Sequence, residues 1–600
     1  MIAWLFSCSF MLPKVEPCNS TSQCELTFGM GYTCGDEGYC DLFTPNPRCQ
    51  KTVPEDYYDM IHKYDGAYIV GTLFKHGTDQ ANLVAASLAL EEARGLPLDG
   101  VNDFVMIHCD YEVQDEEGEE RTTEVVRELS RYLDEEVGAS LIIGPPGSGS
   151  ATTSFNATTD TLIISPSATS TTLSTIDGEI KSNDNPGRFW RTVASDALQA
   201  SALASFVQDR SSNIAILYEN DVYGSDFVAI MEETFSGNIN TTRYAYQPGD
   251  MDMAEAKRQE IGLNGHDAVV FLTSEITDIT NLIPNIASDD NYRNQTLFFA
   301  DATADTRFFE STPALMGTGI QVFGTRPPLQ DGALFNNFNT LFELKADDMG
   351  YEDLSVESDV YAAYTYDATW IGIYGYAWAH FQGNPMSYHS LARGLREISD
   401  PEAIDIDITS SSWNTIQAKF REGESVNVQG TSGPLDFNPL TEELESTIEI
   451  WALSIGYDCA TAIQECDTQL NCSEVVSDST CETEDGGSQF QGPFEFTIMN
   501  PPAWSCSGNV EVTRYGDSFT GVYNCSDGEK SYTDYFSGLL DGAGGISGST
   551  EIKVWDAENM MFEWSGAFTG EEFTVFNNST FSFEGVVYDY SLSVTAREQR

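Results

Sequence analysis

Between residues 68 and 272 short, wholly apolar runs recur, separated by longer stretches in which apolar residues return every three or four positions. Ala67-Tyr68-Ile69-Val70-Gly71 reads as a strand, followed by a helical stretch from Asp79 to Arg94. Phe104-Val105-Met106-Ile107 is the next strand and Thr122 to Glu136 the next helix. Leu141-Ile142-Ile143-Gly144, Leu162-Ile163-Ile164-Ser165, Ile214-Ala215-Ile216-Leu217-Tyr218 and Ala268-Val269-Val270-Phe271-Leu272 continue the series. A strand with no polar side needs cover on both faces, and the intervening helices supply it. The pattern predicts an α/β fold with parallel sheets. Ligands of such sheets bind beyond the carboxyl ends of the strands.

The 600 residues exceed what one core organises, so several units are expected. Residues 1–8 read as the remnant of a signal with a lipobox, because Leu5-Phe6-Ser7-Cys8 places a small residue before a cysteine. Cys8 is then a candidate lipid anchor, which implies an exported protein held at a bacterial surface or in the periplasm, touching membrane only through that lipid. Residues 9–50 are short and Cys-dense, fitting a disulfide-stapled module or stalk. Residues 51–458 carry the α/β pattern, 459–489 form a Cys-rich acidic connector, and 490–600 alternate with period two and predict an antiparallel β domain, sandwich or barrel.

Thirteen cysteines in clusters point to disulfides and an oxidising compartment. With Cys8 set aside, twelve remain. If 18/24/34/40, 459/466/472/481 and 506/525 pair within their clusters, Cys49 and Cys109 are left over and are expected to bridge the N-terminal module to the first lobe. Cys506 and Cys525 form the late pair. The six dispersed histidines and the absence of CxxC spacing give no metal set, and no cofactor loop is present, so neither metal nor cofactor is expected.

Lys+Arg 29 against Asp+Glu 94 leaves a net charge of −65, which argues against nucleic acid or anionic membrane surfaces as partners. There is no GxSxG, HExxH or supported SxxK, so the chain reads as a non-enzyme.

Five motifs then follow in order: Gly144-Pro-Pro-Gly-Ser-Gly-Ser-Ala151, Ile164-Ser-Pro-Ser-Ala-Thr-Ser170, Phe189-Trp-Arg-Thr-Val-Ala-Ser-Asp196, Ile216-Leu-Tyr-Glu-Asn-Asp-Val-Tyr-Gly224 and Ser432-Gly-Pro-Leu-Asp-Phe-Asn438. Together they resemble the type I periplasmic binding proteins, in particular the branched-chain amino acid (Leu/Ile/Val) receptors of ABC transporters, over roughly 66–455. The resemblance implies two α/β lobes with helices on both faces of each sheet, crossed three times near 192–196, 322–328 and 432–440. Lobe one would hold about 66–193 and 327–434, lobe two about 195–323 and 436–458. It implies a small amino-acid-like ligand closed between the lobes and an ABC permease as partner. A ligand sensor uncoupled from transport and a surface adhesion or scaffolding protein are the other function classes the extra modules allow.

The same resemblance assigns site residues. Ser148 matches a carboxylate-binding serine, and its Gly-rich turn leads into a helix N-terminus that favours an anion. Ser167, Ala168 and Thr169 match positions that hold carboxylate and amino groups; the bland reading is a turn that caps the next helix. Tyr223 matches the aromatic of the second lobe, or else packs at a strand-to-helix turn. Phe74 and His76 occupy the loop after the first strand, where side-chain contacts are made. The acid that pairs with a ligand ammonium falls at Ala302 by direct alignment, leaving Asp301 by a one-residue shift, and Glu275, as candidates.

Overall fold

The computed structural model describes residues 17–598 apart from 20, 30, 36, 96–97, 99–103, 114–117, 238, 274–275, 294, 304–305, 316–317, 329–331, 352–353, 357–359, 454–459, 475–487, 500–502, 516–517, 529–530, 541–544, 554–558, 570–571 and 584–585. Cys8, Glu275, Cys459 and Cys481 lie outside the described residues.

The apolar runs form two separate sheets. In lobe one the strand order is Lys51–Val53, Phe104–Asp110, Tyr68–Phe74, Leu141–Ile143, Leu162–Ser165, Phe189–Arg191, parallel throughout except for the antiparallel edge strand Lys51–Val53. Alternate residues feed two apolar layers. Val70 and Phe74 face helices Gln80–Arg94 and Tyr361–Phe381, while Ile69 and Leu73 face the layer that holds Val125, Val126 and Leu129 of helix Gly118–Arg131. Helix Tyr361–Phe381 is buried nearly all round, so its apolar residues form no single stripe.

Lobe two orders its strands Asn240–Tyr246, Asn213–Glu219, Ala268–Leu272, Thr296–Phe299, Gln321–Arg326, followed by Ile448–Leu453, Ala460–Cys466 and Cys472–Glu474. The first five are parallel and the last three antiparallel. The predicted connector 459–489 is thus corrected in part. Its start continues this sheet, with the Cys466–Cys472 disulfide closing the last hairpin.

The chain passes between lobes three times. It leaves lobe one after Phe189–Arg191 and enters helix Asp196–Gln208, then returns between Gln321–Arg326 and helix Ala333–Asp348. The third crossing comes later than the 432–440 expected. Leu435, Phe437 and Leu444 still pack in the lobe-one core, and Ile448 is the next residue in the core of lobe two. The cause is a buried clamp. The Asp367 carboxylate accepts bonds from the amides and hydroxyls of Thr431 (2.9 and 2.9 Å) and Ser432 (2.8 and 2.6 Å), tying this segment to helix Tyr361–Phe381.

The N-terminal module is a helix, Thr21–Phe28, against a small hairpin, Tyr32–Cys34 with Cys40–Leu42. Bridges Cys18–Cys34 and Cys24–Cys40 staple it. The Cys49–Cys109 bridge forms, with a Cα separation of 4.1 Å, and ties the segment after this module to strand Phe104–Asp110. At the other end eight antiparallel strands from Ser488–Ile498 to Val586–Glu598 close into a barrel, the first strand pairing with the last. Phe490, Phe494, Phe496 and Ile498 alternate inward with Leu592, Val594 and Ala596, so the interior is a packed core, and Cys506–Cys525 lies within it. The barrel rests on helix Ala333–Asp348 of lobe one. Among the described residues no helix is long and apolar enough to cross a membrane.

Candidate functional site

The carboxyl ends of the two sheets face each other across the crossovers. On lobe one, strand Leu141–Ile143 ends at Gly144, whose φ of 87° lies in the left-handed region that glycine tolerates. A Cβ there would meet the backbone oxygen of Leu73 at 2.6 Å. The chain turns through Pro145, Pro146 and the N-cap Gly147 into helix Ser148–Ala157. The first intrahelical bond is made by the Ala151 amide to the Gly147 carbonyl, so the amides of Ser148, Gly149 and Ser150 point forward without a backbone acceptor. Gly147 and Gly149 have open space where a side chain would stand.

Beside this turn runs the loop after strand Leu162–Ser165. The Ser165 hydroxyl donates to the Pro145 carbonyl (2.6 Å) and accepts from the Ala168 amide (3.1 Å), and the Ser167 hydroxyl donates to the Pro146 carbonyl (3.3 Å). The Ser170 amide donates to Ser148 Oγ at 3.2 Å. Arg191, 1% exposed, fixes the loop from below by donating to the carbonyls of Ala168 and Ser170, each at 3.0 Å. Ala168 therefore serves as scaffold through both its amide and its carbonyl. Thr169 is buried, its carbonyl accepting the Asp196 amide at 2.8 Å.

Lobe two contributes carboxylates. Asp301 follows strand Thr296–Phe299 and accepts the hydroxyl of Tyr223 (2.9 Å), the amide of Gln199 (3.1 Å) and the hydroxyl of Tyr361, which comes from lobe one. Tyr223 is 5% exposed in the first turn of helix Val222–Thr234. Next to this group stands Asp196, the first residue of helix Asp196–Gln208, fully buried and with neither oxygen in a hydrogen bond within 3.5 Å. Burial, and then the nearby Asp301 charge, hold its pKa well above the usual carboxylate range, while the Thr169 hydroxyl pulls the other way. Burial and the same Asp301 charge push the Tyr223 and Tyr361 hydroxyls up, so both remain donors.

The structure thus gathers Ser148, Ser167, Thr169, Tyr223 and Asp301 at one place and adds Asp196, Gln199 and Tyr361. Asp196 closes the third sequence motif, which the sequence marks only as a crossover. Its place just beyond a strand's carboxyl end, in a helix's first turn, is the signal that could have marked it. Phe74 is corrected: it is fully buried and points with Val70 into the lobe-one core, as a residue four positions along a strand must. His76 stands apart from the gathered residues, with its amide on Asp110 Oδ1 (3.2 Å). Burial lowers its pKa to about 4, partly offset by Asp110.

Chemically, one end offers amides and hydroxyls to an anion, and the other offers two buried carboxylates to a cation.

No curated protein matches the sequence. Among solved structures, similar folds include the branched-chain amino acid transporter substrate-binding protein LivJ from Streptococcus pneumoniae in complex with isoleucine (15% identity, 66% of this chain and 99% of that chain, TM-score 0.48). The leucine-binding protein LivK from Thermotoga maritima is also similar (12% identity, 67% and 99%, TM-score 0.48), as is an R. palustris solute-binding protein in complex with benzoate (16%, 68% and 98%, TM-score 0.47). Residues 83–455 match the receptor family ligand binding region, and with more than half of the chain inside that match, the protein belongs to this family.

Proposed function

We propose that the chain is an exported, non-enzymatic receptor that captures an α-amino acid, or a close analogue, between its lobes. The ligand carboxylate sits on the Ser148 turn and Thr169, and the ammonium lies between Asp196 and Asp301 under Tyr223. One observation carries this reading: a buried carboxylate pair lies beside a helix N-terminus with unused amides, and Asp196 has no hydrogen-bond partner within 3.5 Å. Such a pair is costly until a cation arrives. The captured solute passes to an ABC-type permease, and Cys8 anchors the protein at the membrane. The barrel resting on lobe one favours a second reading, a sensor in which closure is reported through that contact.

The test is a thermal-shift screen of the full chain against amino acids, their deaminated acids (with benzoate), and their decarboxylated amines, followed by calorimetry. A ligand at ~100 times its Kd stabilises by ~2.7 kcal/mol. Ser148→Ala should cost ~1.5–3 kcal/mol of binding, roughly ten- to a hundredfold, for any carboxylate ligand. Asp301→Asn should hurt only ligands with an amine. If neither substitution changes the affinity of a ligand that binds, the site is elsewhere.

A further inference from the structure

We infer that Asp226 is a latch that holds the two lobes closed, and that Ser170 couples it to the anion-binding turn. Asp226 lies on helix Val222–Thr234 of lobe two, one turn beyond Tyr223. Its Oδ2 accepts from three donors of lobe one: the Ser170 hydroxyl at 2.5 Å, the Thr172 amide at 3.2 Å and the Thr171 hydroxyl at 3.4 Å. These donors surround the N-terminus of the short helix Thr171–Thr175, which Ser170 already caps from its own lobe by accepting the Thr172 amide at 3.3 Å. Lobe two therefore supplies a second, charged acceptor to an end that local sequence has satisfied. Folding of lobe one does not need this contact, and it exists only while the lobes are closed.

The wiring is short. The Ser170 amide donates to Ser148 Oγ and its carbonyl accepts Arg191, so the residue that meets the latch is fixed against the residue that opens the anion-binding helix. Within lobe two itself, Asp226 and Asp301 both lie near Asp196, three carboxylates with mutual repulsion. The donors on Asp226 work against that repulsion, as the Tyr361 hydroxyl does on Asp301. In its consequence for ligand lifetime the inference rests on the reading proposed above; the contact itself does not.

Small-angle scattering of the full chain with no ligand added tests the latch directly. Losing charge-assisted hydrogen bonds should shift the closed-to-open ratio about ten- to a hundredfold. Asp226→Ala should therefore show a larger radius of gyration than the parent, with Asp226→Asn between them. Hydrogen exchange should quicken in 170–175 and 222–230, but not in strand Leu141–Ile143 or the barrel. Ser170→Ala removes a donor from the opposite lobe and should open the molecule as well, should Asp226→Ala prove unfolded by circular dichroism. Superposable scattering and exchange for parent and variants overturn the latch. With L-leucine as probe, dissociation from Asp226→Ala should be faster by the same factor with association unchanged. Release at the parental rate from an opened variant overturns the coupling to the ligand. Failure of L-leucine and the wider library to bind the parent counts against the proposed function, while the scattering still judges the latch.

Discussion

A carboxylate with no exposed surface and no close hydrogen bond persists only if it holds a proton or meets a cation. Asp196 is such a group, and Asp301 beside it makes ionisation harder still. The sign follows directly. The free protein keeps a proton on Asp196 to a pH above the ordinary carboxylate range, and a bound ammonium lowers that pKa. Binding an amine therefore releases a proton, so affinity should climb as pH rises through the raised free-state pKa and level off above it. Calorimetry in two buffers of different ionisation enthalpy reads the released proton. Asp196→Asn should abolish the release, flatten the profile and weaken amine ligands about ten- to a hundredfold. A pH-independent affinity in the parent would place the ammonium elsewhere. The places of Ser148 and Thr169 beyond two strand ends were legible in the sequence, because a Gly-rich turn and a Ser-Pro turn follow apolar runs, while their roles in binding rest on the resemblance alone. Asp196 was not, since one acid among 94 carries no mark until burial strips its partners away.

At the scale of elements, the parallel strands announced themselves because burial on both faces leaves no polar positions, and the antiparallel β domain did so through its period of two, which left sandwich and barrel both open. The hairpin Ala460–Cys466 with Cys472–Glu474 stayed hidden, because acidic, Cys-rich composition masks a strand whose outer face meets water. Buried acids on helices were also invisible. Glu92, on helix Gln80–Arg94, accepts the Tyr366 hydroxyl at 2.5 Å, and burial raises its pKa to about 7. Asp367 is raised to about 6 by burial despite its four donors. Both folded-state values exceed the unfolded ones, so the stability linked to them is complete below about pH 4 and is lost as pH rises through about 6 to 7. Glu92→Gln keeps the acceptor oxygen and removes the charge. It should raise stability at pH 8 by on the order of 3 kcal/mol and flatten the decline between pH 5 and 8, read by denaturant titration. Asp367→Ala should instead cost about 3–5 kcal/mol, because four buried donors lose their acceptor. A neutral Asp367→Ala would mean that the clamp does not hold the third crossover.

For the whole molecule the governing number is the net charge of −65, and the structure sharpens it. Five basic residues are spent internally: Arg191 on Glu443, Arg326 on Glu449, Arg258 on Glu255 and Asp289, Lys345 on Glu91, Arg396 on Glu442, each with its cationic side chain at most 11% exposed. The remaining basic residues are far outnumbered by the 94 acids. Exposed charges repel across the lobes and barrel at low salt, where the Debye length is ~30 Å, and hardly at all near 0.15 M, where it is ~8 Å. The buried pairs are screened far less, so salt relieves repulsion without weakening the pairs that hold the crossovers. The melting temperature should therefore rise between ~10 and ~150 mM NaCl and change little beyond, in every transition that calorimetry separates. The same field acts on arriving ligands: association of a cationic amino acid should slow with added salt, that of a dicarboxylate should quicken, and that of a neutral zwitterion should barely move. Stopped-flow rates at two ionic strengths distinguish the three. A melting temperature that is flat or falls over the first 150 mM would mean that bound cations already neutralise the surface, and the steering of ligands by charge would fall with it.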